Sequence, residues 1–233
     1  MRCKSLFPVI LLSVLLISCS GGSEDLARYG LKGDVMLIKE YQCDPTYENQ
    51  QWVASSSCSR EYRQVEFDSE GNFVHSLTMS EKGDTLVLNT VRRENGEIVE
   101  EIFYVRQQLT PMHSKLVPVS RTLKERVSDK QVNFEIWQQD RLTFEGASYY
   151  DSKGRIERQV QVVDNREVMV HNVYDKDLRV EMYQEESDGS RSGTQQYEYG
   201  EYDEKGNWTL RLVYTGEEKI SPELAITRKI EYR

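Results

Sequence analysis

Hydrophobic and polar residues alternate with a period of two over most of the chain beyond residue 29. Val132, Phe134 and Ile136, for example, are separated by single polar residues. Such alternation is typical of strands that bury one face and leave the other in water, and no 12-residue window shows a comparable helical stripe. Short turns favour pairing of each strand with its predecessor. The pattern therefore predicts an all-β chain, an antiparallel meander of hairpins that forms an extended, curved sheet or a partly open barrel.

The same alternation assigns faces to two stretches that begin with an aromatic residue. It places Phe73 on the face of Leu77, and Trp208 on the face of Leu212. Because side chains two positions apart in a strand point the same way, we expect each pair to share one side of the sheet.

A seven-residue turn pattern recurs three times, at residues 67–73, 150–156 and 202–208. It consists of an aromatic residue, Asp, two polar residues, Gly, one polar residue and an apolar residue. The Asp side chain accepts hydrogen bonds from backbone N–H groups of the turn, and the Gly adopts the positive φ that a tight turn requires. We predict that each aromatic residue ends a strand. The defining residues are Phe67, Asp68, Gly71, Tyr150, Asp151, Gly154, Tyr202, Asp203 and Gly206.

Proline interrupts the pattern of hairpins in one region. Pro111 and Pro118 lie within residues 106–120, between clusters of turn residues. Proline disrupts central strands because it cannot donate to the hydrogen-bond ladder. This region is therefore the expected seam between an N-terminal and a C-terminal group of hairpins.

The N-terminus has the features of a secretion signal. Arg2 and Lys4 precede an apolar run at residues 6–17, which is shorter than the roughly 20 residues that a membrane-spanning helix needs. The sequence LISC at 16–19 resembles the lipobox of bacterial lipoproteins, in which the Cys is lipidated. The resemblance implies a signal peptide at 1–18, a lipidated Cys19 and a flexible polar linker over 19–28, ahead of a domain at 29–233. A plain secreted protein is the alternative.

The residues after Cys19 bear on the membrane to which the protein is attached. In lipoproteins, an Asp directly after the lipidated Cys is linked to retention in the inner membrane, and here that position is Ser20. The resemblance thus implies an outer-membrane anchor. Glu24 and Asp25 are similar to the export signal of surface lipoproteins in Bacteroidota, which implies exposure at the cell surface.

The net charge of the chain bears on the class of partner that it can bind. The formal net charge is −9, and loss of residues 1–18 with Arg2 and Lys4 makes it −11. The chain has no general basic footprint, so we expect no nucleic-acid partner.

Besides Cys19, the mature chain holds Cys43 and Cys58, which we expect to form a disulfide in an oxidising compartment. Two buried free thiols are the alternative.

The repeated turns resemble the YD repeats of RHS-type proteins, whose tandem hairpins build a long, wrapped β-sheet. The chain also resembles a group of Bacteroidota lipoproteins of unknown function, in which segments such as residues 31–35, 202–209 and 227–232 recur as a frame. RHS proteins are far longer and enclose a C-terminal toxin, and no such cargo is inferred here. The resemblance implies a fold and an anchor, and no chemistry.

Catalytic chemistry has no recognisable signature in the sequence. The motifs of serine hydrolases, zinc proteases and phosphate-binding loops are missing, and none of His75, His113 and His171 has a Cys or acid at metal-ligand spacing. Adjacent carboxylates at 100–101 and 185–186 point to opposite faces of a strand and cannot act as a pair. We predict no catalytic residue, no metal ligand and no cofactor.

Three function classes remain. We expect a non-enzymatic binding or structural module, held on the membrane by its lipid, with an envelope protein or a glycan as partner; Trp52, Trp137 and Trp208 are candidates for stacking on sugar rings. The alternative is a carrier of lipid or hydrophobic peptide on a half-barrel sheet, which requires an open concave face lined by apolar side chains. A glycan-active hydrolase is the less favoured third class.

Overall fold

A computed structural model of the protein describes residues 24–110, 113–163, 166–186 and 188–233, and it shows fourteen strands that close into one antiparallel barrel. The predicted signal peptide and Cys19 lie outside the described residues. Each strand pairs with its predecessor and successor, which confirms the meander. The elements are α1 (Glu24–Arg28), β1 (Val35–Glu48), β2 (Gln51–Phe67), β3 (Phe73–Met79), β4 (Thr85–Glu94), β5 (Glu97–Thr110), β6 (His113–Ser128), β7 (Gln131–Gln138), β8 (Arg141–Tyr150), β9 (Ile156–Val163), β10 (Arg166–Asp175), β11 (Leu178–Glu185), β12 (Arg191–Tyr199), β13 (Leu210–Thr215) and β14 (Leu224–Tyr232).

The barrel closes because the first strand pairs with the last. β1 and β14 run antiparallel, with Ile38 opposite Ile230 and Cys43 opposite Ala225. The expected extended sheet or partly open barrel is thus a closed barrel, in which neither terminal strand remains as an edge. Closure removes the unpaired N–H and C=O groups that an edge strand would expose.

Residues 24–34, here called the plug, close one end of the barrel. Asp25 accepts a hydrogen bond from the backbone N–H of Phe73, while Arg28 lies over the ring of Tyr150, 5.3 Å from its centroid. These contacts reach β3 on one side and β8 on the other, so the plug lies across the barrel interior. The strand face that packs against it, which includes Ile38 and Val65, is therefore the inner face.

Of the predicted flexible linker at 19–28, residues 19–23 lie outside the described residues, and the plug corrects the prediction for residues 24–28. Residues 24–28 are a short helix, and Asp25 and Leu26 are buried. A buried carboxylate requires partners, and Asp25 has ion pairs with Arg28 and Arg93 in addition to its hydrogen bond from Phe73. The acidic residue that resembles part of an export signal thus belongs to the barrel domain.

The expected seam at residues 106–120 is instead a long hairpin. β5 and β6 pair through it, with Tyr104 opposite Pro118 and Val105 opposite Val117. Pairing of β6 with β7 starts only at Arg121, so Pro118 has a strand neighbour on one side alone. Proline is tolerated at such a local edge because no ladder hydrogen bond is required there.

The long β1–β2 hairpin forms a second core on the outer face. Its residues Trp52 and Ala54 pack against a buried cluster on the outside of β13 and β14. The cluster consists of Cys43, Leu210, Leu212, Tyr214 and Ala225. The barrel wall is therefore buried on both faces in this sector.

Two of the faces assigned from alternation are wrong. Phe73 packs in the inner core with Ile38, whereas Leu77 lies opposite Gln64 on the outer face; likewise Trp208 packs inward and Leu212 outward. The cause at Phe73 is a break in register, because Glu66 pairs with His75 and Phe67 with Phe73. Such a bulge inserts an extra residue and reverses the parity of the positions beyond it.

Candidate functional site

The three repeated turns lie together at the plugged end, between β2 and β3, β8 and β9, and β12 and β13. In each turn, one Asp oxygen accepts the N–H groups two and four residues later, at 2.9–3.0 Å. The three turn glycines have φ of +81°, +74° and +78° at Gly71, Gly154 and Gly206. The structure therefore places these residues in hairpin turns and assigns them a structural task.

The aromatic residues of the three turns differ in position. Phe67 and Tyr150 are buried and end β2 and β8. β12, however, ends at Tyr199, and Tyr202 is 51% exposed, joined to Trp208 only by an isolated bridge. The expectation that all three aromatic residues end a strand therefore does not apply to Tyr202.

A hydrogen-bonded latch joins the third turn to the plug and to the last strand. The Asn207 amide donates to the hydroxyl of Tyr232 at 2.7 Å, and that hydroxyl donates to Asp203. Burial, and then the hydrogen bond to the Asp203 carboxylate, raises the pKa of Tyr232 to about 12. The latch therefore holds Tyr232 in its neutral form.

The structure joins Cys43 and Cys58 by a disulfide. The two residues lie opposite each other on β1 and β2. Cys43 is buried in the outer core, whereas Cys58 lies in the exposed stretch of β2. The bridge therefore ties the covering hairpin to itself beside the wall on which it packs.

A cavity of about 1120 Å³ lies at the end opposite the plug. It is bordered by β5 and β6 and by the turn between β7 and β8. Phe103, Val119 and Leu142 line it and are 41%, 38% and 39% exposed. Phe103 lies on the inner face, because it has the same parity in β5 as Glu101, and Glu101 lies opposite Val91, which packs against the inner core. The lining is mixed, since Arg106 and Arg141 add two cations and five uncharged polar residues also border the cavity: Gln107, Ser120, Gln138, Gln139 and Thr143.

Charged side chains occupy the inner wall between the cavity and the plug. Arg228 donates to Glu40 at 2.8 Å, and Arg63 donates to the other oxygen of the same carboxylate at 3.2 Å. Burial raises the pKa of Glu40, but the two arginines outweigh it, so the pKa lies below its usual range. Burial lowers the pKa of Arg228 to about 10. Both groups thus carry charge inside the barrel at neutral pH.

The carboxylates considered from the sequence do not come together in one site. Glu100 pairs with Arg92 and Arg121 on the outer face, and Glu101 with Lys124 on the inner face. Within the described ranges, no three His, Cys, Asp or Glu side chains are grouped as metal ligands would be.

The histidines and tryptophans are likewise dispersed. His75 pairs with Glu66 at 3.4 Å and His171 with Glu185 at 2.6 Å, both on the outer wall. Trp208 is buried inside the barrel, Trp137 donates to Glu135 outside it, and Trp52 packs on the outer core. The three tryptophans therefore form no common platform for a sugar.

Comparisons with known proteins give distant likenesses. No protein-family model matches the sequence, and no curated protein matches it. A porin-like protein from Bacteroides vulgatus aligns at 11% identity with a TM-score of 0.49, covering 86% of this chain and 99% of its own. A porin-like protein from Bacteroides uniformis aligns at 9% identity with a TM-score of 0.35, covering 84% of this chain and 98% of its own. A LolA superfamily protein from Nitrosomonas europaea aligns at 10% identity with a TM-score of 0.37, covering 90% of each chain. These scores assign no family. Separately, the described residues contain no helix long and apolar enough to span a membrane.

Proposed function

We propose that this protein is a lipid-anchored binding protein of the cell envelope that carries a hydrophobic small molecule in the open end of its barrel. One observation carries the proposal: the barrel is closed by the plug at one end and keeps a partly apolar cavity of about 1120 Å³ at the other. A carrier was the alternative expected from the sequence, and an open face lined by apolar side chains is what it requires.

Exposure of the cavity side chains supports this role. Phe103, Val119 and Leu142 leave about two fifths of their surface in water, although burial of that remainder would stabilise each by roughly 0.6–1.2 kcal/mol. Clustered exposed apolar residues in a concave site are typical of ligand binding. Arg106 and Arg141 supply polar contacts at the rim, where they would orient a ligand without filling the cavity.

The anchor and the partners are further parts of the proposal. Lipidation of Cys19 after the LISC sequence would hold the barrel at a membrane, as the likeness to the lipobox implies. A protein or glycan partner in the envelope stays a prediction, as does the absence of enzymatic activity. A purely structural module would need no open cavity, and for this reason we favour the carrier.

Fluorescence of a neutral naphthylamine probe tests the proposal on the Cys19→Ala protein. We expect enhanced emission on binding, and a loss of affinity of about tenfold when Val119→Asn and Leu142→Asn are combined. Val173→Asn is the matched control, since Val173 is as exposed as Val119 (38% each) but lies on the outer face of β10. Equal loss in the control, or no binding by the parent protein, would contradict the cavity as a ligand site.

A further inference from the structure

Four arginines and two aromatic rings alternate along the inner wall of the barrel. Arg179 lies over the ring of Tyr197 at 4.8 Å, and Arg211 approaches the same ring at 5.4 Å. Arg211 also lies 4.9 Å from the ring of Trp208, with Arg228 on that ring at 3.5 Å. Through Glu40 the row continues to Arg63. We call this set the arginine belt: Arg63, Arg179, Tyr197, Trp208, Arg211 and Arg228.

The belt holds more positive than negative charge. Among the described residues, Glu40 is the carboxylate that forms ion pairs with the belt, and Arg63 and Arg228 already bind both oxygens of that group. Arg179 donates to the neutral side chain of Asn172 at 3.0 Å, and Arg211 lies opposite Tyr199, whose hydroxyl donates to the backbone carbonyl of Arg179 at 2.8 Å. In the part of the chain that the structure describes, the buried Nε of Arg211 has no hydrogen-bond partner. The belt therefore has donors and positive charge left for an anion.

Solvent reaches the belt inside the barrel. Arg63 lies on the inner face, yet 45% of its side-chain surface is exposed. Exposure of that size on an inward side chain requires a lumen around it. Towards the open end, the next inward residues on β13 and on β14 are apolar: Val213 and Ile226 are buried in the inner wall, and Leu224 is half-buried. A molecule in the lumen would thus meet cations near the plug and apolar side chains towards the opening.

We infer that the arginine belt binds the carboxylate of an amphiphilic ligand whose apolar chain extends towards the open end of the barrel. This inference rests on the proposed carrier function and specifies its ligand. Planar guanidinium groups bind carboxylates through two parallel hydrogen bonds, and such charge-assisted bonds are stronger inside a protein than in water. Stacking on rings fixes the guanidinium planes without neutralising their charge.

Competition against the naphthylamine probe tests the inference in the Cys19→Ala protein. Palmitate and 1-hexadecanol share a chain length and differ in the charge of the head group. We expect palmitate to displace the probe at a concentration about tenfold lower than hexadecanol, which is the effect of one charge-assisted hydrogen bond. Arg211→Gln and, separately, Arg179→Gln should remove this preference and leave hexadecanol unaffected.

Arg158→Gln is the matched control, because Arg158 lies over the ring of Tyr149 at 4.3 Å on the outer face. It should retain the preference, and circular dichroism should show all three variants folded. Equal displacement by the two ligands, or a preference that survives Arg211→Gln, overturns the inference while the carrier function stands. Failure of the probe itself to bind overturns the carrier function. Displacement by inorganic phosphate as effective as that by palmitate would mean a site for free anions and would also overturn the inference.

Discussion

The side chain of Asn207 and the backbone of Lys32 form a reciprocal pair of hydrogen bonds across 175 positions of sequence. The Lys32 N–H donates to the Asn207 side-chain oxygen at 2.7 Å, and the Asn207 amide donates to the Lys32 carbonyl at 2.9 Å. Asn207 is completely buried. The Asn207 side chain thus pairs with the Lys32 backbone as a neighbouring strand would, and it holds the plug in the end of the barrel.

Replacement of this residue should therefore destabilise the fold. Asn207→Ala removes both hydrogen bonds to the Lys32 backbone and the bond to the Tyr232 hydroxyl, and the loss of all three should cost roughly 2–4 kcal/mol in the free energy of unfolding. Asn72 occupies the same position in the first repeat, but its amide reaches only Asp68 and Glu70 of its own turn. Asn72→Ala should cost about 1 kcal/mol or less. Urea denaturation measures both, and similar losses would contradict the role of the Lys32 pair.

Gly206 should tolerate few replacements because of its backbone conformation. Its φ is +78°, and an added Cβ would meet only the Lys32 amine, at 3.8 Å. The cost of Gly206→Val is therefore backbone strain rather than a clash, and we expect a loss of roughly 1–3 kcal/mol. Gly206→Asn should lose much less, because Asn adopts positive φ more readily. If both variants lose the same stability in thermal melts, steric exclusion is the better explanation.

The disulfide should stabilise the barrel by restricting the unfolded chain. The bridged residues are 15 positions apart, and a loop of this length corresponds to roughly 3 kcal/mol in the chain-entropy model. Combined Cys43→Ala and Cys58→Ala substitution should lower the urea midpoint, and reduction of the parent protein should lower it by a similar amount. Mass mapping that finds both thiols free in the exported protein would contradict the bridge.

Alkaline pH should weaken the latch at Tyr232. Burial and the bond to Asp203 raise its pKa to about 12, against an ordinary value of 10.0. Below pH 10 the tyrosine keeps its proton in both the folded and the unfolded protein. Between pH 10 and 12 only the folded protein keeps it, so the free energy of unfolding falls as pH rises. Tyr232→Phe should show a shallower fall over this range in urea titrations. An unchanged slope would mean that the hydroxyl titrates as it does in water.

Cys19 should decide where the protein resides. The LISC sequence predicts lipidation, and two or more acyl chains hold a protein firmly at a bilayer. Cys19→Ala should move the protein from the detergent phase to the aqueous phase in a phase-separation experiment. Cys3→Ala, within the predicted signal peptide, is the control and should leave the partition unchanged. Retention of Cys19→Ala in the detergent phase would refute the anchor.

Local features of the fold could be predicted from the sequence, and features that depend on distant pairs could not. The three Asp-x-x-Gly turns are short-range, so their hydrogen bonds and positive φ follow from neighbouring residues. Closure depends on the pairing of β1 with β14, almost 200 positions apart, and the sequence of neither strand identifies its partner. The plug helix has five residues, too few for a periodic stripe.

The arginine belt could not be predicted from the sequence, because its charged residues lie on the face that alternation assigns to apolar residues. Alternation marks polar positions as outward, but Arg211 and Arg228 point inward beside Val213 and Ile226. Inward-facing arginines of this kind are indistinguishable from surface arginines in a single sequence. Aromatic residues at matching strand positions, such as Tyr197 and Trp208, are a usable signal only once the register is known.

The location of the plug determines how an anchored barrel would be oriented. Glu24 starts the plug, and five peptide steps separate it from Cys19, a span of at most about 18 Å when extended. A lipid on Cys19 would therefore hold the plugged end next to the bilayer and direct the opening beside Phe103 and Leu142 away from it. Cargo would then enter and leave on the side of the aqueous compartment, so exchange would involve a donor or acceptor beyond the protein's own membrane.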